Sequence, residues 1–196
     1  VPSRQFDISK IDFDLLSREF AHTRRKNLLL RDLDELVNQQ LSKMLFANPQ
    51  RIDYYDRYQE IIDAYNAEQN RATIEKTFMD LMELANSLDT EQQRYVREGF
   101  SSDEELSVYD LLFSENLTKQ EIETIKKVSV DLLTKIKQQI AKLDHWTDKQ
   151  ETKAIVDNLI RNTLWQELPN SYDVSDIQTY QKKIYEYVYM RYPEVA

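Results

Sequence analysis

The sequence of 196 residues contains one glycine, no cysteine and two histidines. A soluble domain of this length usually carries roughly 14 glycines, about 7% of its residues. Phosphate-binding loops, dinucleotide fingerprints and nucleophile elbows all need several glycines, because the backbone must approach phosphate or turn sharply. With Gly99 alone, the sequence excludes these three motifs. The missing cysteine likewise excludes thiolate catalysis, cysteine-ligated metal centres and disulfides, and it fits a reducing compartment.

Long apolar runs and basic clusters are also scarce. No apolar run approaches 18 residues, so the sequence predicts neither a membrane-spanning helix nor a membrane partner. The formal net charge is −9, and no basic side chain lies between Arg97 and Lys119. Because unassisted DNA binding normally needs a basic surface, we expect this acidic middle segment to face solvent or a protein.

Apolar residues instead recur at helical spacing through almost the whole chain. In residues 51–66, for example, Tyr54, Tyr58 and Ile61 fall on one helical face. The pattern predicts an all-α, compact fold of about nine helices without a sheet. The predicted helices cover residues 9–22, 28–46, 51–66, 72–88, 90–98, 102–112, 118–143, 147–165 and 175–188.

The same periodicity indicates the domain organisation. We expect residues 1–8 to be the remnant of a linker and residues 9–192 to form a single all-helical domain. The pattern breaks at residues 113–118, so a division of the domain into two lobes would fall there.

Local signals mark several helix ends. Gly99 follows a short predicted helix, where a residue in the left-handed conformation commonly closes the helix. A Ser or Thr followed three residues later by Glu or Gln indicates a capping box at a helix start. The pairs with this spacing are Ser102/Glu105, Thr118/Glu121, Thr147/Gln150 and Ser175/Gln178.

No catalytic residue can be assigned. The sequence offers no serine–histidine–acid set and no cluster of metal-ligating residues. The tripeptide 151–153 matches the Glu-x-Lys motif of metal-dependent nucleases, in which both side chains project from one side of a strand. Here it falls in the first turn of a predicted helix, where residues i and i+2 do not share a face.

The most basic stretch of the chain is Arg24, Arg25 and Lys26, in a predicted connection between two helices. These side chains are candidates for contact with a partner or with phosphate. A solvated turn is the alternative interpretation.

The final predicted helix is rich in tyrosine. Tyr185, Tyr189 and Tyr192 lie off the stripe that we expect to be buried. Because tyrosine is enriched at protein interfaces, these three residues are candidates for a partner surface. The alternative is that their rings complete the core.

Three ordered motifs carry a family resemblance. The first comprises Asn48, Pro49, Arg51, Asp53 and Tyr54, followed by Tyr65 and Asn66; the second, Gly99, Tyr109 and Asp110; the third, Trp146 and Lys149. In their order and spacing over residues 10–165, these motifs resemble the helical C-terminal region of the R subunits of type I restriction enzymes. Within that family we favour the plasmid-borne IC class.

The resemblance implies a function that composition alone does not. R subunits carry a nuclease domain, two motor domains and this helical region, and the assembled complex cleaves foreign DNA after ATP-driven translocation. The present chain would be a non-catalytic, cytoplasmic assembly domain that docks the motor onto the methyltransferase core. Its partners would be the methyltransferase and specificity subunits, its own motor domains and, in the assembled complex, DNA. No cofactor is expected in this chain, whereas the parent enzyme would need ATP and Mg²⁺ and the complex S-adenosylmethionine.

Two alternatives stay open beside the docking domain. One is a DNA-contacting clamp next to the motor domains that uses the basic stretch, and the other is an unrelated stand-alone helical adaptor. The residues of the first motif are expected chiefly to build a helix corner, where Asp53 favours the helix dipole. Contact with a partner is the alternative role for them.

Overall fold

A computed structural model describes residues 12–68 and 70–193. Within these ranges the chain forms nine α-helices and one 3₁₀ turn, with no strand, which confirms the predicted all-α fold. The predicted linker, residues 1–8, lies outside the described residues. None of the helices in the described ranges is both long and apolar enough to cross a membrane.

The first compact unit ends at Arg94. Its helices are α1 (Phe13–His22), α2 (Lys26–Ala47), α3 (Ile52–Ala67) and α4 (Arg71–Gln92). Helix α4 packs against both α2 and α3. Its stripe of Phe78, Leu81 and Leu88 is fully buried, and Phe20 of α1 stacks on Phe78 with ring centroids 3.7 Å apart.

The second compact unit begins at Tyr95. Its helices, after the short α5 (Arg94–Arg97), are α6 (Asp103–Leu112), α7 (Lys119–Ile140), α8 (Gln150–Glu167) and α9 (Val174–Arg191). Helix α6 packs on α7, α7 on α8, α8 on α9, and α9 on α6. These four helices therefore close a ring around one core, in which Leu106, Ile136 and Ile160 are fully buried.

The two units divide between Arg94 and Tyr95, whereas the break in periodicity pointed to residues 113–118. That segment is the loop between α6 and α7, which pack on each other in the second unit. A break in periodicity marks a loop but does not indicate which helices share a core. The expectation that residues 9–192 act as a single domain stays a prediction.

One predicted capping box is complete, and a second is only partly formed. Thr118 and Glu121 form a complete capping box at α7. At α6 the Ser102 hydroxyl accepts a hydrogen bond from the Glu105 amide at 3.3 Å. The Glu105 carboxylate accepts a further hydrogen bond from the Ser101 amide.

The predicted capping box of Thr147 and Gln150 is wrong. Helix α8 begins at Gln150, after Lys149, whose side chain makes no capping hydrogen bond. The Thr152 hydroxyl instead donates to the Trp146 carbonyl at 2.7 Å. Because Trp146 is buried in the core, the chain around it forms turns, and the helix begins only after them.

The predicted start of the last helix at Ser175 is also wrong. Helix α9 begins at Val174, and its capping box consists of Asp173 and Asp176. The preceding residue, Tyr172, is buried, and its hydroxyl donates to the carbonyl at the end of α6 at 2.6 Å. This anchor holds the loop before α9, and the helix begins directly after it.

Gly99 has a φ of +86°, the left-handed conformation expected at this position. The turn is closed by hydrogen bonds from the Gly99 amide to the Val96 carbonyl and from the Phe100 amide to the Tyr95 carbonyl. A Cβ atom on Gly99 would meet nothing within 4 Å, so only the backbone conformation opposes a side chain.

We expect Gly99→Ala to lower the free energy of unfolding by about 1 kcal/mol, because alanine is strained at positive φ. Gly99→Asn should lower it less, since asparagine tolerates the left-handed region. Urea unfolding followed by circular dichroism measures both changes. An alanine variant as stable as the parent chain would contradict the expected backbone strain.

Candidate functional site

The first motif builds a buried corner between α2 and α3, formed by residues 48–51. Asn48 is fully buried, and its side-chain oxygen accepts a hydrogen bond from the Gln50 amide at 3.1 Å. This contact caps the 3₁₀ turn Pro49–Arg51. The Asn48 amide donates to the Met44 carbonyl at 2.9 Å, which closes the end of α2. The motif therefore stabilises the point where α2 ends and α3 begins.

Arg51 lies in a buried cluster of charges within the first unit. Its side chain is 3% exposed, and its Nε lies 3.0 Å from an oxygen of Glu91 at the end of α4. The same carboxylate oxygen accepts a hydrogen bond from Arg94 at 2.9 Å. Two arginines thus share one buried carboxylate, and the cluster ties the corner to α4.

Tyr54 and Asp53 follow the corner in the first turns of α3. Burial and the nearby Glu91 carboxylate raise the pKa of the half-buried Tyr54 hydroxyl. Asp53 is exposed at the helix start, where its charge favours the helix dipole. At the corner Asn48 and Arg51 are therefore buried and Tyr54 is half-buried, whereas Pro49 and Asp53 are exposed.

Glu91 is the residue that sequence reasoning missed at this corner. It continues the buried stripe of α4 after Leu84 and Leu88, at helical spacing. A carboxylate in phase with a buried stripe indicates a buried cation, because an uncompensated buried charge is costly. That signal could have led to Glu91, although it could not have identified Arg51 as its partner.

Tyr58 occupies the next turn of α3 and is buried. Its hydroxyl donates to Asp34 at 2.8 Å and accepts a hydrogen bond from Asn38 at 3.1 Å. Burial and the Asp34 carboxylate raise the pKa of Tyr58 to about 12. The neutral phenol is therefore favoured in the folded chain more strongly than in the unfolded chain.

This pKa shift predicts a loss of stability in alkali. An unfolded tyrosine ionises near pH 10, so stabilisation that is complete below pH 10 is lost as the pH rises towards 12. Between pH 10 and pH 12, this ionisation should lower the free energy of unfolding by roughly 2 kcal/mol. We expect Tyr58→Phe to remove this part of the pH dependence of stability. Urea unfolding at closely spaced pH values measures the slope. An identical slope in the phenylalanine variant would refute the assignment to Tyr58.

The remaining residues of the first motif end α3. Tyr65 packs against the core of the first unit and lines a cavity of about 250 Å³ between α2, α3 and α4. Asn66 is exposed in the last turn of the helix. Tyr65 therefore contributes to packing, while Asn66 faces solvent.

The second motif lies at the start of the second unit. The Tyr109 ring of α6 is buried. Its centroid lies 5.4 Å from that of Phe100 and 5.8 Å from that of Phe113. Asp110 is half-buried beside it. This aromatic row packs the Gly99 turn against α6.

The third motif joins the tyrosine-rich helix. Trp146 is 1% exposed, and its indole N–H donates to the Tyr192 carbonyl at 2.6 Å. Tyr185 and Tyr189 meet the indole edge-on, with centroids 6.2 and 5.7 Å away. Lys149, the other member of the motif, is exposed. The structure thus brings Trp146 together with all three candidate tyrosines, a pairing that their sequence positions did not indicate.

The basic stretch divides into two kinds of side chain. Lys26 lies 2.6 Å from Glu75, and its ammonium sits 5.0 Å from the centroid of the Phe20 ring. Arg24 and Arg25 are exposed in the connection between α1 and α2. Of the three candidates, only the two arginines present their charges to solvent.

The described parts of the chain contain no group of three or more His, Asp or Glu side chains placed to hold a metal ion. The fold and these sites define an all-helical domain whose motif residues mainly hold helix ends and aromatic contacts in place.

Over residues 3–192 the chain matches the model of a family described as type I restriction enzyme HindI endonuclease subunit-like, C-terminal. The chain belongs to this family, which confirms the resemblance seen in the sequence. No curated protein and no solved structure matches it. The IC class stays a prediction, because the family description does not name a class.

Proposed function

We propose that this chain is the assembly domain that docks the motor and nuclease part of a type I restriction enzyme onto its methyltransferase core. The observation that carries the proposal is the family match over residues 3–192, which is to the C-terminal part of an endonuclease subunit. A domain at that end of a motor subunit can connect the motor to other subunits without taking part in catalysis.

The structural contacts of the motif residues also support a docking role. Asn48, Arg51 and Trp146 are buried and hold helix ends or aromatic rings in place. Rigid corners of this kind keep the exposed helix faces in a constant arrangement, and binding to a rigid surface loses less conformational entropy.

In this proposal ATP, Mg²⁺ and S-adenosylmethionine act in other parts of the cytoplasmic complex.

Competition tests the docking role. The purified chain is added to the methyltransferase core of the same system, together with the complete R subunit. We expect the chain to co-elute with the core in size-exclusion chromatography and to inhibit DNA cleavage by displacing the R subunit. A chain that neither co-elutes nor inhibits would overturn the proposal.

Arg24 and Arg25 favour a second candidate function, contact with DNA beside the motor domains. Both are exposed next to each other, and such a pair suits phosphate contact. The net charge of −9 opposes DNA binding by the chain alone. Salt-dependent DNA binding that is lost in Arg24→Ala/Arg25→Ala would support this function, whereas binding unchanged by the substitutions would exclude these arginines.

The third alternative, an unrelated stand-alone helical adaptor, would apply only if the resemblance to the restriction-enzyme family were accidental. The family match over residues 3–192 argues against an accidental resemblance.

A further inference from the structure

Three large apolar side chains are exposed around the α2–α3 corner. Phe46 in the last turn of α2 is 59% exposed, Ile52 at the start of α3 is 48% exposed, and Tyr55 is 38% exposed. Asn48 and Arg51, which lie between Phe46 and Ile52 in the sequence, are buried. The corner therefore turns polar groups inward and apolar groups outward. We call Phe46, Ile52 and Tyr55 the corner patch.

An acidic stripe runs along α3 beside the corner patch. Its four carboxylates are spaced three, four and three residues apart, so they share one helical face over about 15 Å. The members of this acidic stripe are Asp53, Asp56, Glu60 and Asp63, and all are exposed. Helix α3 packs on α2 and α4 through its opposite face, so the stripe and Ile52 border the same unpartnered surface.

The acidic stripe is not neutralised within the described residues, where none of its carboxylates takes part in an ion pair. Arg57, the basic residue on this helix, turns to Glu83 of α4 at 3.1 Å. On α4, by contrast, Lys76 lies 3.0 Å from Asp80 at i,i+4 spacing. Like charges at helical spacing destabilise a helix by roughly 0.2–0.5 kcal/mol per pair. A positively charged partner would relieve this repulsion.

We propose that the corner patch and the acidic stripe form one docking surface for a lysine- or arginine-rich protein surface with an apolar ridge. The inference rests on the proposed function, and it assigns this surface to the methyltransferase core. Charge complementarity identifies the occupant: the carboxylates would attract a basic partner and repel the phosphates of DNA. The exposed apolar side chains would supply the desolvated centre of the contact.

A second copy of this chain is a poorer match for the surface. The chain carries a net charge of −9. Several of its lysines are already engaged in ion pairs, including Lys26 with Glu75 and Lys135 with Asp131 and Glu167. A self-associated pair would therefore gain less from the acidic stripe than a basic partner would.

Two double variants test the surface against the purified methyltransferase core. Asp56→Lys/Glu60→Lys reverses the middle of the acidic stripe, and Phe46→Ser/Ile52→Ser removes the apolar part of the corner patch. We expect each variant to weaken binding by about tenfold or more. The charge variant should also lose much of the salt dependence of binding.

Matched controls alter exposed residues elsewhere. Glu123→Lys/Glu186→Lys makes the same charge change on α7 and α9, and Met79→Ser/Met190→Ser removes exposed apolar side chains from α4 and α9. We expect the controls to bind within about twofold of the parent chain, since surface changes outside an interface have little effect. Circular dichroism establishes that all four variants fold.

The outcomes separate this inference from the proposed function. If the parent chain binds the core and both test variants bind equally well, this surface is wrong and the docking role stands. If the parent chain does not bind, both proposals are overturned. If sedimentation shows a dimer that Phe46→Ser/Ile52→Ser dissociates, the occupant is a second copy, and the assignment to the methyltransferase is overturned.

Discussion

Arg51→Ala is expected to lower the free energy of unfolding by about 3 kcal/mol, because it leaves the buried Glu91 carboxylate with one of its two arginine partners. Arg51→Lys should also be strongly destabilising. An ammonium group cannot reproduce the geometry of the guanidinium at a buried carboxylate. Urea unfolding at neutral pH, followed by circular dichroism, measures both losses.

Arg57→Ala is the matched control for this prediction. Arg57 lies in α3, the helix that follows the 3₁₀ turn containing Arg51, and pairs with Glu83 at 3.1 Å. The Arg57 side chain is 42% exposed and that of Glu83 is 73% exposed. A solvent-accessible ion pair contributes at most about 1 kcal/mol to stability. Arg57→Ala should therefore lower the free energy of unfolding much less than Arg51→Ala. Arg51→Met/Glu91→Leu should be more stable than Arg51→Ala, because it removes both buried charges. Equal effects at Arg51 and Arg57 would show that the buried cluster does not stabilise the corner.

Trp146→Ala is expected to lower the free energy of unfolding by about 3–5 kcal/mol, the usual range for a buried large aromatic side chain. The substitution would leave a cavity beneath Tyr185 and Tyr189 and remove the hydrogen bond to the Tyr192 carbonyl. Trp146→Phe should be less destabilising, because most of the ring volume stays while the N–H donor is lost. Unfolding in urea ranks the three proteins.

Trp165 provides the control, because it is 49% exposed on α8. We expect Trp165→Phe to change stability by less than about 0.5 kcal/mol. This variant retains Trp146 as its single tryptophan, so its fluorescence should be that of a buried indole and shift to the red on unfolding. An exposed-type spectrum in the folded variant would contradict the position of Trp146 in the core.

Much of the helical structure could be predicted because the signals are local. The stripe through Tyr58 predicted a helix over residues 51–66, and α3 covers Ile52–Ala67. Asn48 and Pro49 marked the end of the preceding helix, since a residue before proline avoids the α conformation. The two helix starts that were wrong, at Thr147 and Ser175, adjoin buried Trp146 and Tyr172. Tertiary anchoring of those aromatic rings overrode the local capping signals.

The candidate site was less predictable, because its chemistry depends on distant partners. Lys26 belonged to the most basic stretch, yet its ammonium is neutralised by a carboxylate 49 residues later. The role of Tyr185 and Tyr189 depended on Trp146, which belongs to a different segment. The corner patch was also missed, although Phe46 lies two residues after buried Met44 and so on the opposite face of α2. Helical spacing indicated its exposure, but only the structure placed it beside Ile52 at the corner.

The sequence by itself determined an all-helical chain, the left-handed residue Gly99, the capping box at Thr118 and the family. Each of these depends on residues close together in the chain or on their order along it. Only the tertiary structure decided that Arg51 meets Glu91, 40 residues away, and that Arg57 pairs with Glu83 of α4 rather than with the acidic stripe of α3. Helical periodicity shows that each helix has an apolar face, but which faces meet depends on packing across the core. That packing also determines which charges are paired and which are presented to a partner.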